Sequence, residues 1–380
     1  MRITYLTRAM EVGGAEVQLA TLAAAVARRG HQVDVLTFYP GGNLTSTLGE
    51  AGVPYADLGK GGRWDLAGFF GRLVRRLRQS RPDVLHSFLG PPNIMAAATK
   101  PFLPRCKVVW GVRSSDMDLT KYDWSWRASL AIERRLSIVA DRIVTNSTSG
   151  RRFLEAAGFD ARRLSVVPNG IDTARFAPSP ELRALARAEF GFNDSVAVIG
   201  HVARLDPIKD FETLFAAAVA VRQDVPHLRI LVVGSGDATF TATLHARASA
   251  LGLQDTVVWA GLRRDMNRLY NAMDIHCLAS FSEGFPNAVA EGMAAGAIAV
   301  ASDVGDVRTM VGDAGIIVPV ADVAALTSAW RRVLGLSAAD RRRLAQAGRQ
   351  RIVDLYGVET MTDAMEAIYR ANLRQEVRQA

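Results

Sequence analysis

Residues 280–304 read Ser280-Phe-Ser-Glu283-Gly-Phe-Pro286-Asn-Ala-Val-Ala-Glu291-Gly-Met-Ala-Ala-Gly-Ala297-Ile-Ala-Val-Ala301-Ser-Asp-Val304. Two carboxylates, Glu283 and Glu291, flank Gly284, Pro286 and Asn287. A run of small residues with helical spacing follows, then an apolar strand, Ala297–Ala301. Pro286 suits the first turn of that helix, where a missing N–H costs nothing. This puts Glu283 in the loop before the helix and Glu291 near its beginning. The free amides and positive end of the helix point to the same place. Fixed carboxylates beside anion-binding amides suit a ligand with both hydroxyls and phosphates, and a nucleotide sugar is one. The competing reading is an exposed Glu and a helix-capping Glu.

Outward from this stretch, short apolar runs alternate with helical patterns. Strands are expected at Arg2–Thr7, Val33–Phe38, Val84–Phe88, Val108–Val112, Arg142–Thr145 and Ser165–Val167, with helices at Ala15–Arg29, Trp64–Gln79 and Ser125–Ala140. At 168–180 the chain changes to P-N-G-I-D-T-A-R-F-A-P-S-P, whose three prolines and Asn-Gly read as a linker. The alternation restarts at Ala197–Val202 and ends in Ala338–Arg378, nearly all helical by pattern. Such alternation predicts parallel sheets covered on both faces. A chain of 380 residues exceeds one core of typical size, so two domains are expected.

Composition narrows the function. The 49% apolar and 22% charged shares are those of a globular chain, not a disordered or fibrous one. No apolar run is long enough to cross a bilayer, and the N-terminus enters a strand pattern without a signal-peptide core. Two cysteines, Cys106 and Cys277, form no disulfide framework or zinc spacing, and Cys277 reads as a core residue. The expected location is the cytoplasm. The net charge of +8 is uneven: residues 1–170 hold 24 Lys/Arg against 14 Asp/Glu, and residues 171–380 hold 22 against 24. Basic and aromatic residues interleave at Arg63-Trp64, Phe69-Phe70, Arg72, Arg75-Arg76, Arg78 and Arg81, and again at Lys121-Tyr122, Trp124, Trp126 and Arg127. That pattern reads as a surface for anionic lipid or nucleic acid, the lipid reading placing the chain at the inner face of the plasma membrane, or as a solvated helix face.

The phrase E-G-F-P-N-A between Glu283 and Glu291 resembles the donor site of retaining glycosyltransferases of family four, the glycosyl transferases group 1. The resemblance covers nearly the whole chain. It is strongest over 196–320 and weakest over 40–130. It implies the α/β GT-B fold, with two Rossmann-like doubly wound domains facing across a cleft. Residues 1–170 would form the acceptor-side domain and 171–357 the donor domain. Residues 358–380 would be a helix packing back on the first. Pro168-Asn-Gly-Ile-Asp172 with Phe176 matches the family's linker phrase.

The resemblance also implies roles. Arg204 and Lys209, in His201-Val-Ala-Arg-Leu-Asp-Pro-Ile-Lys-Asp210, would grip the donor diphosphate, with Asp210 standing where the family usually has Gly. Two fixed cations stabilise a departing diphosphate more in the transition state than in the ground state, so no metal and no cofactor are expected. Glu283 would hold the transferred sugar and Glu291 the ribose hydroxyls. Gly13 and Gly14 would close over the diphosphate or lie near the acceptor. Gly234 and Leu262 lie in turns assigned to the nucleoside end, and Phe285, Pro286, Asn287 and Ala288 complete the donor set. UDP- or GDP-sugars are the donors favoured.

The acceptor side departs from the family. Trp110-Gly111 stands where many relatives carry His-Gly, so no general base is carried over. His86, Arg113 and Asp116 are local candidates, and Asp116-Met-Asp118 spells a D-x-D that binds metal in a different glycosyltransferase fold. The expected reaction is retaining sugar transfer to an acceptor hydroxyl, the acceptor a glycan or lipid-linked glycan in surface polysaccharide or glycolipid synthesis. Rival readings are a sugar-nucleotide epimerase or phosphorylase of the same architecture, a nicotinamide-dependent oxidoreductase built on the Gly234 turn, and a basic nucleic-acid-binding protein. The oxidoreductase lacks a third glycine, with Thr239 in its place. Nucleic acid is not the expected partner.

Overall fold

Val84–Phe88 and Ile298–Ser302 are buried along their whole length. Strands hidden on both faces belong to parallel sheets with helices above and below. A computed structural model describes residues 1–11, 13–62, 64–113 and 124–377, apart from the side chains of 124–128 and 375–377. Within them the chain divides into two compact units, Met1–Gly170 with Val358–Ala380, and Ile171–Gly357.

The first unit holds β1 (Arg2–Thr7), β2 (Gln32–Thr37), β3 (Tyr55–Asp57), β4 (Val84–Phe88), β5 (Lys107–Val112), β6 (Arg142–Thr145) and β7 (Leu164–Val166). Their order is β3-β2-β1-β4-β5-β6-β7, all parallel. The second holds β8 (Ala197–Val202), β9 (Leu228–Val233), β10 (Val257–Gly261), β11 (Ile275–Leu278), β12 (Ile298–Ser302) and β13 (Gly315–Val318). Their order is β10-β9-β8-β11-β12-β13, again all parallel. Both sheets are doubly wound. Strand order reverses between β1 and β4 and between β8 and β11, and in such sheets ligands sit off the carboxyl ends at the reversal. Separate apolar clusters cover the two faces of each sheet.

Several local expectations need correcting. The helix expected over Trp64–Gln79 spans Ala67–Ser80, because the Asp65 carboxylate accepts the amides of Gly61 and Phe69 and so starts it late. Trp64 is left outside the helix, 86% exposed. Residues 338–377 form two helices, Ala338–Tyr356 and Val358–Val377, separated at Gly357. Gly357 bridges Ile171, whose amide donates to the Tyr356 carbonyl at 2.7 Å. Met361, Met365 and Tyr369 of the last helix enter the first unit's core beside Tyr5, Leu19 and Ala23. Arg29, at the end of the helix Gly14–Arg28, ties it to the last helix at the surface through Glu359, Asp363 and Glu366.

The Pro-Asn-Gly phrase is not a loose linker. The Gln18 side chain clamps Gly170, accepting from its N–H at 2.9 Å and donating to its carbonyl at 3.1 Å. A Cβ on Gly170 would meet Met361 at 2.7 Å. Asn169 is buried and accepts from Arg113. Short elements with weak periodicity, such as β3 and the helix Thr45–Glu50, are further additions to the sequence reading.

Candidate active site

The second unit brings most of the expected donor residues to the carboxyl ends of β8, β9 and β11. Three segments there are stitched backbone to backbone. Leu205 donates to the Ser235 carbonyl at 2.9 Å, and Gly234 to the Gly261 carbonyl at 2.9 Å. The stitching demands glycine: at φ +141° a Cβ on Gly234 would sit 1.8 Å from the Ala203 oxygen. Leu262, in the adjoining turn, is 72% exposed. Asp237 accepts from Thr239 and Phe240, so it caps the helix Ala238–Ala250 at the place where a dinucleotide fingerprint would leave amides open.

Asp206 caps the short 3-10 turn Pro207–Lys209, and Asp210 follows in the left-handed region at φ 47°, ψ 59°. Glycine adopts that conformation freely, and Asp is among the few side chains that tolerate it. Asp210 also accepts from Thr213 at 3.1 Å, capping the helix Phe211–Val221. Where the family usually has Gly, this chain keeps the turn and adds a cap.

The turn delivers Lys209 to Glu283. Phe281 donates its amide to the Ile208 carbonyl at 2.8 Å, which joins the two loops. Lys209 Nζ stands 2.5 Å from Glu283 Oε1, and Ser280 Oγ donates to the same oxygen at 2.7 Å. Gly305 supports the loop from behind, since a Cβ there would meet the Glu283 carbonyl at 2.0 Å. Arg204 does not join this pair; its side chain is 73% exposed and held by Asp206 at 3.0 Å.

Pro286 is the residue before the helix Asn287–Ala294 rather than inside its first turn, and Glu291 lies beyond that turn. Phe285 is buried against Tyr356, their ring centroids 5.4 Å apart, so its side chain packs the core. Asn287 and Ala288 open the helix and are half-buried. Glu291 Oε2 accepts from the buried Tyr270 hydroxyl at 2.8 Å. Burial pushes the Glu291 carboxyl up to about 7, while the Tyr270 hydrogen bond and the Arg175 charge pull the other way. Arg175 lies over the Phe176 ring and donates to the Arg264 carbonyl at 3.3 Å, beside the turn that holds Leu262. Sequence reasoning missed Tyr270 and Arg175, since nothing in their local pattern separates them from structural residues. Behind the site, His201 is buried with Nδ1 3.1 Å from the Cys277 carbonyl, and burial pushes it down to about 4.

In the first unit, Gly13 precedes the helix Gly14–Arg28, and the Glu16 carboxylate folds back so that a Cβ on Gly13 would meet it at 2.4 Å. His86 is buried on β4 with Nδ1 2.7 Å from the Tyr369 hydroxyl, and burial holds its pKa well below the usual value. Arg113 follows β5, lies over the Phe88 ring and donates to Asn169; burial lowers it to about 10. Glu133 is pushed up to about 7 by burial, with Ser129 3.4 Å away as its hydrogen-bond partner. Asp116, Asp118, Arg63, Lys121 and Tyr122, and the side chains of Trp124, Trp126 and Arg127, lie outside the described residues.

The paired doubly wound units have close counterparts. HepE of Anabaena, solved in complex with UDP and glucose, superposes with a TM-score of 0.86 at 20% identity, covering 98% of this chain and 100% of that one. Sucrose-phosphate synthase from Thermosynechococcus elongatus superposes with a TM-score of 0.82 at 20% identity, covering 98% and 99%. Together with the two sheets, these define a GT-B glycosyltransferase fold.

Residues 12–175 match the family model for Glycosyltransferase Family 4, and residues 196–335 match that for Glycosyl transferases group 1. The chain belongs to glycosyltransferase family four. Among similar curated proteins are D-inositol 3-phosphate glycosyltransferases. The one from Segniliparus rotundus is 33% identical over 256 residues, 64% of this chain and 55% of its own length. The one from Geodermatophilus obscurus is 29% identical over 403 residues, 95% and 85%. The chain thus spans about half the length of several of these relatives and most of two.

Proposed function

We propose that this chain is a retaining, metal-independent hexosyltransferase that moves a sugar from a UDP- or GDP-sugar to an acceptor hydroxyl. The observation that carries this reading is the pairing of Lys209 with Glu283 in the loops after β8 and β11, with Glu291 held by Tyr270 on the helix that follows. In this reading Glu291 takes the ribose, Glu283 the transferred sugar, and Arg204 and Lys209 the diphosphate. Gly234 and the Leu262 turn flank the nucleoside, with Pro286, Asn287 and Ala288 at the helix start. Two fixed cations aimed at a leaving diphosphate meet charge that grows in the transition state. The acceptor attacks the face from which the diphosphate departs, and a donor phosphate oxygen takes its proton. The α configuration is kept and no protein nucleophile is needed. The UDP and glucose bound by HepE support a nucleotide-sugar donor.

The acceptor is a sugar or polyol hydroxyl bound by residues 1–170. Two observations bear on its class. Relatives named for D-inositol 3-phosphate favour a phosphorylated polyol. The exposed Trp64, Leu66 and Phe102, with Arg78 over the Phe102 ring and Arg75 exposed on the same helix, favour a lipid-linked glycan met at the inner face of the plasma membrane. No helix among the described residues is long and apolar enough to cross a membrane, so such a meeting would be peripheral.

A thermal-shift panel of UDP-, GDP-, ADP- and dTDP-sugars tests the donor, because a ligand that binds only the folded chain raises its stability. One nucleotide class should stabilise the chain strongly. The matching sugar nucleotide should then yield an α-linked product with a polyol phosphate or a lipid-linked glycan. No shift with any donor, or a β-linked product, would overturn the reading.

A further inference from the structure

We propose that the second unit carries another ligand site at the amino ends of its strands, a groove that takes an organic phosphate ester and holds its phosphate with Arg341 and Arg342.

The groove has a volume of about 730 Å³ and lies where β8, β11 and β12 begin, with Val196, Met273 and Ile298 among its lining residues. Lys209 and Glu283 follow the carboxyl ends of β8 and β11, so the groove is on the other edge of the sheet from them. Its size falls within the range usual for small-molecule sites, roughly 300–1,000 Å³. Val196, Met273 and Ile298 are buried and give it an apolar floor. One wall is the helix Ala338–Tyr356, through Ala338, Arg341, Arg342 and Ala345.

Arg341 stands where an apolar side chain would be expected. Gly348, Ile352 and Tyr356 are the buried face of that helix. The same spacing of three and four runs back through Ala345 to Arg341, along the face that a helix turns to the core. Arg341 is half-buried, and Arg342 beside it is exposed. Among the described residues neither guanidinium makes an ion pair or a side-chain hydrogen bond.

The other cations of the groove are already matched. Arg183 pairs with Asp274 at 2.7 Å, with Arg187 behind at 3.6 Å, and Arg331 pairs with Asp224 at 2.5 Å. Asp194, exposed at the rim, is the one lining carboxylate outside these pairs. Two open guanidinium groups against one exposed carboxylate favour an anion. Neighbouring guanidinium forks match the oxygens of a phosphate, and the apolar floor suits the organic part of an ester. A sugar phosphate and a nucleoside monophosphate share that chemistry.

Calorimetry on the full chain tests this with glucose 6-phosphate and AMP as probes, against inorganic phosphate, glucose and adenosine. At least one ester should bind, and its phosphate-free counterpart should bind about 10–100-fold more weakly, by loss of hydrogen bonds to charged groups. The ester that binds tells a sugar source from a nucleoside source. Inorganic phosphate should bind more weakly than that ester, because it leaves the floor empty. Arg341→Ala with Arg342→Ala should weaken the ester about 10–100-fold. Arg342→Glu alone should weaken it about tenfold at unchanged melting temperature, since that side chain is exposed, so a failure to fold cannot imitate the result. Lys209→Ala should leave ester binding as in the parent.

Binding that Lys209→Ala removes and the arginine variants spare would place the ester beyond the other edge of the sheet and overturn the proposal. So would no binding of either ester, or equal affinity for an ester and its phosphate-free counterpart. Self-association of the parent that disappears in Arg341→Ala with Arg342→Ala would make the groove an interface between copies and overturn it too.

Discussion

Lys209 and Glu283 neutralise each other across 2.5 Å, although they are assigned to opposite parts of the same ligand. Both side chains are mostly buried, at 17% and 13% exposure, so each holds the other against the cost of leaving water. A donor diphosphate would take over Lys209, and a sugar hydroxyl would donate to Glu283. Glu283→Ala should lower turnover about 10–100-fold, one to two factors of 1.36 kcal/mol. Lys209→Ala should lower it as well. The double variant should lose less than the product of the two, because each single change leaves a buried charge unpaired. Steady-state kinetics on the four proteins check this, and strictly multiplicative losses would show that the pair does not act as a unit.

Arg204 reaches into solvent and, among the described residues, is held by Asp206 alone. As a flexible cation it can fold onto a diphosphate without displacing a structural contact. Arg204→Ala should therefore remove most of the activity at unchanged melting temperature, and EDTA should leave the parent active. A requirement for manganese or magnesium, restored by adding it back, would turn attention to Asp116 and Asp118.

Glu291 ionises near 4.5 when unfolded and near 7 when folded. Between those values the folded chain binds the extra proton, so stability falls as pH rises through this window and levels off above it. A rise of that size corresponds to about 3 kcal/mol at most. Glu133 shifts in the same direction for the same cause. Glu291→Gln should flatten the decline and be the more stable protein at pH 8, with a smaller gain at pH 5. Urea unfolding at the two pH values measures it, and a parent that gains stability from pH 5 to 8 relative to the variant would contradict it.

Asp210 combines a left-handed backbone with a helix cap. Asp210→Gly should cost only a few tenths of a kcal/mol, the usual loss when Gly replaces a cap. Asp210→Ala should cost about 2 kcal/mol, from the lost cap and from a Cβ in the left-handed region. Denaturant midpoints rank the three proteins, and a tie between Gly and Ala would refute the argument.

Membrane docking through the first unit should rest on Arg75, Arg78 and Trp64 rather than on the whole arginine cluster. Arg72 is spent on the carbonyls of Leu58 and Gly59 and on Asp65, and Arg76 faces Asp34 at 3.8 Å. Surface cations are worth roughly 1 kcal/mol each at an anionic bilayer and fade with salt. Arg75→Glu with Arg78→Glu should release the chain from anionic vesicles at low salt while nucleotide binding survives. Equal sedimentation of variant and parent would make the cluster a solvated face.

The order of strands and helices was legible because it rests on periodicity and on turn residues, which are local. The Glu283–Glu291 stretch was legible for a related reason: loop, helix and strand follow one another within 25 residues. Boundaries shifted where a side chain outside the periodic pattern intervened, as Asp65 does at the helix Ala67–Ser80. The Asp210 departure looked like a defect in sequence and is a cap in structure, because only the fold shows which amide the carboxylate meets.

By itself, then, the sequence determined two doubly wound units, the family, and the short stretches that carry carboxylates and cations. Tertiary structure decided which of them act together. Lys209 meets Glu283 across 74 positions of chain, and Tyr270 meets Glu291 across 21. Neither spacing is a helical or strand period, so no local rule could join them. The fold also separated Phe285 and His86, whose side chains fill the core, from Arg204, which faces water. Burial is a property of the packed chain: it depends on what lies across the sheet, and the same residue type in the same motif can line a site or support it from behind.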